Sequence, residues 1–221
     1  MLLTVLGFVV AFGLSFRCST AYERYTDGRK YWAQLTLTSR NLARTIWINI
    51  DERPEHAKED LLGKLSAIQL INAFSAALKH RLRFEPAIDY PDLSQLVCHL
   101  PGTMARHADQ SKLRHRKPSP AKRVGEYLGV SFAQSNPRKL IKRSGENLGN
   151  LPHEVLSHLY AYIEKVTNED KTLTSGPCQS NAFADIRGMA DILTGTERVL
   201  NTPLPLAYSI SISQITCESL S

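Results

Sequence analysis

The first fifty residues contain no proline, and the first sixteen, MLLTVLGFVVAFGLSF, contain no charged side chain. Without proline the commonest helix breaker is missing, so one long helix is expected from Met1 to about Ile50, with Gly28 as the place for a bend. The four cysteines (Cys18, Cys98, Cys178 and Cys217) lie far apart; none forms a CxxC pair and none has a histidine at zinc-finger spacing. A disulfide framework or structural zinc site is therefore not indicated, and four unpaired thiols of a reducing compartment are expected. The chain has no P-loop, no GxGxxG, no GxSxG and no carboxylate cluster, so neither an enzyme nor a cofactor is supported. His153 and His158 in HEVLSH invite comparison with the HExxH zinc motif. They stand at i, i+5, roughly 500° round a helix, and cannot share the face that two ligands need. No metal is expected there, and no internal repeat is evident.

What is present is enough for a folded core: 221 residues, 43% of them hydrophobic. The net charge of +6 suits an anionic partner, whether nucleic acid, lipid head groups or small anions, and does not choose among them. The charge-free segment falls short of the roughly 20 apolar residues that span a bilayer. It also lacks the basic leader of a signal peptide, and Arg17-Cys18 makes a poor cleavage site. A membrane helix missing its upstream turns fits best, and no other segment reads as long and apolar enough to span. Beyond Arg17, the aromatics Tyr22, Tyr25, Tyr31 and Trp32 alternate with Arg24, Arg29 and Lys30, the mixture expected where a helix leaves a membrane.

Three more helices are expected. Residues 54–83 carry Leu61, Leu62, Leu65, Ile68, Leu70, Ile71, Phe74 and Leu78 on one broad apolar face and close on the basic group Lys79, His80, Arg81 and Arg83. Pro86 and Pro91 then predict a loop. Residues 152–167 and 181–200 form the other two, the second following a turn at 175–177. Segment 107–123, HADQSKLRHRKPSPAKR, is basic, but it lacks the interleaved aromatics of a nucleic-acid stacking platform. It is read as a flexible solvated loop, with no nucleic acid expected. The stretch NTPLPLAYSISISQIT turns apolar as if to start a further membrane helix, then stops in CESLS, so both ends of the chain look cut. The expected domains are 1–50, a membrane helix running on into the cytosol; 54–200, a cytosolic helical domain with a flexible basic insertion at about 101–150; and 202–221, the start of a truncated further membrane helix.

Within the first segment Phe8, Phe12 and Phe16 stand at i, i+4, i+8 and form one stripe, with Thr4 upstream and Ala11 and Ser15 beside it. Gly7 and Gly13 allow neighbouring helices to approach closely. Periodicity alone leaves two readings open. The stripe faces lipid or a core, or several copies turn it towards a common axis and stack phenylalanines into a narrow hydrophobic constriction.

A resemblance bears on that choice. The segment LGFVVAFGLSFRCSTAYERYTDGRKYWAQLTLTSRNLAR resembles the bestrophin family, particularly its bacterial and fungal branch. The matching residues are Phe16-Arg17, then Ser19, Ala21, Tyr22 and Arg24, then Gly28-Arg29-Lys30 with Trp32, and Arg40-Asn41-Leu42. Leu78-Lys79-His80-Arg81-Leu82 and Glu197-Arg198 followed by TPLPLAYS agree in order and spacing; about 100–150 matches poorly. The resemblance implies an all-α subunit of a multi-pass membrane channel, its partial membrane domain joined to a cytosolic helical bundle. It further implies a homopentamer, conduction of chloride or other small anions, a lipid membrane as surroundings, and Phe8, Phe12 and Phe16 as the pore neck. Arg17, Tyr22 and Arg24 would mark the exit of the pore helix. A second constriction would fall near Pro177. The membrane helices before and after these blocks, and the acidic calcium clasp of animal members, would be absent. Two other readings remain beside this one: a soluble basic helical binding protein with an N-terminal membrane anchor, and a non-functional truncated product.

Overall fold

A computed structural model of the chain describes residues 2–85, 88–98, 100, 149–169 and 174–202. The expected basic insertion, 107–123 included, and the expected further membrane segment from 203 onward lie outside the described residues. Among the described residues there are five helices: α1 (Leu2–Asn49), α2 (Ala57–Leu82), α3 (Pro91–Val97), α4 (Leu151–Glu169) and α5 (Gly176–Asn201). Among the described residues there is no strand, so the all-α expectation holds.

The chain divides into two compact units, Met1–Thr38 with Asp191–Ser221, and Ser39–Ala190. In the first, α1 runs helically through Gly28 without a break, for want of any residue that would stop it. The last turns of α5 belong to the same unit, where Ile192, Leu193 and Thr196 are buried. Gly195 is buried as well, and a Cβ placed on it would stand 2.4 Å from the ring of Tyr31. Only glycine permits that approach.

The second unit has its core between α2 and α4. The α2 residues Leu70, Ile71, Phe74, Ala77 and Leu78 recur at helical spacing and are buried, as are Leu151, Val155, Leu159 and Ile163 of α4. The two helices run antiparallel, since Arg81 near the end of α2 donates to the Gly149 carbonyl just before α4 (3.5 Å), while Gly63 near the start of α2 faces Tyr162 near the end of α4. Leu42, Ile46 and Ile50, from the end of α1 and just beyond it, are also buried. Asn150 precedes α4 and accepts from the His153 backbone N–H (3.4 Å), an N-cap for a helix whose second residue is Pro152.

Four expectations are corrected. Pro91 is not loop punctuation but the first residue of α3, where its missing N–H costs nothing. The turn expected at 175–177 is instead the opening of α5, whose first turn contains Pro177. Leu61, Leu62 and Leu65 do not join the buried face of α2; they are exposed, and Lys64 is buried in their place with its Nζ on Glu52 Oε1 (3.0 Å). Finally, α2 is long and apolar enough to cross a membrane by length and composition, with a mean hydropathy of 1.4. It is the one such helix found among the described residues, and 44% of its most apolar stretch is buried inside the chain.

Candidate functional site

On α1 the Phe8 and Phe12 rings stack at a centroid distance of 6.2 Å with planes 13° apart, and Phe12 meets Phe16 edge-on at 4.6 Å and 88°. Both geometries suit the ring quadrupole, which sets a positive edge against a negative face. The three side chains remain 71%, 58% and 51% exposed, and among the described residues their ring contacts are with one another. Thr20 donates its hydroxyl to the Phe16 carbonyl (2.9 Å), which keeps the polar group satisfied inside its own helix. The result is a continuous apolar ridge ending at Arg17, which is exposed, as is Tyr22.

Arg24 is a different case. It is half-buried and its guanidinium donates from Nη2 to the Val199 carbonyl (2.8 Å) and from Nη1 to the Thr202 carbonyl, both at the C-terminal end of α5. The last carbonyls of a helix have no intrahelical partner and carry its negative pole. A planar cation with several donors satisfies two of them at once, which a lysine could not do as well. Arg198 adds a bond to the Tyr31 hydroxyl (3.2 Å), and Thr202 ties back through its own hydroxyl to the Arg198 carbonyl (2.7 Å). Arg24 therefore serves as a clamp between two helices of one unit, across 175 residues of sequence. The residues Glu197-Arg198 and Thr202, noted in the sequence only as a block of resemblance, are where this clamp closes.

In the second unit the ion pairs gather at the two ends of α2. Arg53 donates to Asp60 from its backbone N–H (2.9 Å), Nε (3.1 Å) and Nη2 (2.6 Å), which holds the Asp60 carboxyl down at about 2. Burial, and after it the negative charge of Asp60, push the Tyr162 hydroxyl up to about 12. These groups line a cleft of about 300 Å³ with Asp51, His56 and Lys165, in which acids and bases of both signs alternate. Burial also raises the Asp185 carboxyl from its ordinary value. His153 is exposed and His158 half-buried, and among the described residues no group of three His, Cys, Asp or Glu is placed to hold a metal ion.

Thus the α1 ridge brings Phe8, Phe12 and Phe16 together, leaves Arg17 and Tyr22 facing outward, and sends Arg24 to α5. The sequence model of the Bacterial/Fungal Bestrophin protein family matches residues 1–217. The chain belongs to that family. Among curated relatives of this bestrophin is a voltage-dependent anion channel-forming protein of Synechocystis, 28% identical over 202 residues, covering 91% of this chain and 50% of that protein. A protein of the same description from Salmonella typhi is 25% identical over 213 residues, 94% of this chain and 51% of its own length. Among solved structures, a bacterial bestrophin homologue from Klebsiella pneumoniae superposes with a TM-score of 0.60 at 22% identity, over 96% of this chain and 60% of that one. The bestrophin chain thus spans about half the length of the curated relatives it matches, and shares the helical bestrophin fold.

Proposed function

We propose that the chain forms part of a subunit of a membrane anion channel, in which several copies, five by the family resemblance, turn the α1 ridge towards a common axis. Phe8, Phe12 and Phe16 then make a hydrophobic neck that chloride or another small anion crosses passively. The observation that carries this reading is the ridge itself: three adjacent aromatic side chains, each at least half exposed. Family membership and the anion-channel names of the relatives support it. Residues 1–16 then lie in the membrane, and Arg17 and Tyr22 stand at its edge. The helices from α2 onward form the cytosolic part, which agrees with the extent to which α2 is buried.

The chemistry of the neck follows from ring geometry. Phenylalanine edges carry partial positive charge, so rings turned edge-on accompany a partly dehydrated anion, and a narrow apolar ring closes by dewetting. Basic residues near the mouth raise the local anion concentration. Currents in planar lipid bilayers test this. Protein carrying residues 1–221 with Phe8, Phe12 and Phe16 all replaced by alanine is expected to show larger unit conductance or altered gating. Currents identical to those of the unsubstituted protein would remove the neck.

A further inference from the structure

At the end of α2 the chain makes a tight helix stop with an unusual residue in it. The backbone N–H of Glu85 bonds the His80 carbonyl (3.0 Å) and that of Phe84 bonds the Arg81 carbonyl (3.2 Å), the two bonds of a Schellman motif. Its left-handed position is held by Phe84, at φ 58°, where glycine is usual. For a residue with a Cβ this conformation is strained, and something nearby must offset it.

The His80 side chain is in place to do so. Its ring is buried, stacked on Tyr90 with centroids 4.1 Å apart and planes 8° from parallel. Nδ1 lies 2.6 Å from Glu85 Oε2 and Nε2 lies 3.0 Å from Asp92 Oδ1. Asp92 also accepts from Lys79, and the hydrogen bonds from Lys79 and His80 keep its carboxyl down at about 2. With Asp92 ionised, Nε2 must carry a hydrogen to donate to it. The short Nδ1···Oε2 contact then needs one further proton between the two atoms, whichever of them holds it. Take that proton away and a nitrogen lone pair faces a carboxylate oxygen, which repels it. A rise in pH that removes this proton therefore breaks the contact.

We propose that His80 is a pH-sensitive latch: while one proton lies between its Nδ1 and Glu85 it holds Glu85 and α3 against the end of α2, and loss of that proton lets them go. The groups that face the ring are Glu85 before α3, Tyr90 and Asp92 at its start, and Lys79 through Asp92 from α2 itself. The antiparallel α4 brings His153 and Glu154 to the same end of α2, where Arg81 bonds the Gly149 carbonyl. The latch does not depend on the channel reading, because every atom in it lies in one compact unit of the chain.

Hydrogen exchange of the whole chain in detergent, read by mass spectrometry on peptides covering residues 88–98 and corrected for the intrinsic rate, tests it. A hydrogen bond to a charged group corresponds to a roughly ten- to hundredfold change in protection. Protection of α3 is expected to fall by that factor as pH rises from about 6 to about 9, while peptides within α4 hold theirs. His80→Gln is expected to abolish the pH dependence. Glu85→Gln keeps an acceptor but removes the charge, and is expected to move the midpoint to lower pH; this second variant serves if His80→Gln does not fold. Protection of α3 that is flat with pH in the unsubstituted chain, or a midpoint unmoved by Glu85→Gln, would overturn the latch.

Discussion

The first turns of α1 and the C-terminal half of α2 are both strongly apolar helices, yet they meet opposite ends. In α2 the apolar side chains are consumed by the chain itself: Phe74 and Leu78 are fully buried, with Ile71 nearly so. In α1 the three phenylalanines are each at least half exposed, and Phe8 is the most exposed large apolar residue described. Composition is therefore a poor guide to where an apolar helix goes; what distinguishes the two is whether the chain supplies a second apolar face. For α2 it supplies α4. For the α1 ridge the described residues supply none.

The sharpest way to break this comparison is to truncate one aromatic in each helix. Phe74→Ala is expected to cost about 3–5 kcal/mol of stability in denaturant unfolding, through lost transfer energy and an unfilled cavity. Phe12→Ala should stay within about 0.5 kcal/mol and act on currents instead. Comparable losses at the two sites would mean that the ridge is packed against its own chain after all.

A smaller effect is expected at the crossing of Tyr31 and Gly195. Gly195→Ala sets a methyl into the Tyr31 ring, an overpacking penalty of about 1–3 kcal/mol. It is partly offset by the better helix propensity of alanine, about 1 kcal/mol. Adding Tyr31→Ala should remove the penalty, so a double-mutant cycle on thermal unfolding shows strong coupling. Additive effects would separate the two residues.

The mildest prediction concerns acid. Asp60 and Asp92 sit at about 2 in the folded chain, below the value of about 3.9 for an unfolded aspartate. A depressed carboxyl contributes stability that is complete above its unfolded value and is lost as pH falls through its folded value. The apparent melting temperature of the second unit should therefore drop between about pH 4 and about pH 2. Asp60→Asn should make that slope shallower. An unchanged slope would assign the acid response to other carboxyls.

Much of the fold was legible because its long helices obey simple rules. The proline-free run predicted α1, three- and four-residue spacing predicted α2, and α4 and the body of α5 were expected at 152–167 and 181–200. The aromatic ridge was equally plain, since i, i+4, i+8 is a local pattern. What escaped was set by neighbours far away in sequence. Arg24 reads as an interfacial cation until its two carbonyl partners at Val199 and Thr202 are seen. Lys79 and His80 read as charges suited to a helix C-terminus, whereas they are taken up by Glu85 and Asp92. Helix α3 was missed because seven residues carry too little periodicity, and because Pro91 gives the same local signal for a helix start as for a loop. Leu61, Leu62 and Leu65 matched the apolar face by spacing, but the aliphatic stem of Lys64 and its pairing with Glu52 took the inward position.

The spacing of the phenylalanines has a consequence for how copies can be arranged. Four residues turn an α-helix through about 400°, so each ring lies about 40° beyond the one before it. The row winds slowly round α1 in the sense produced by repeats longer than 3.6 residues, which favours a right-handed supercoil. Upright helices would aim only one ring of the three straight at a shared axis. For all three to point inward, the copies must lean around the axis with a right-handed slant, and a change in that slant would rotate the outer rings out of line before the middle one.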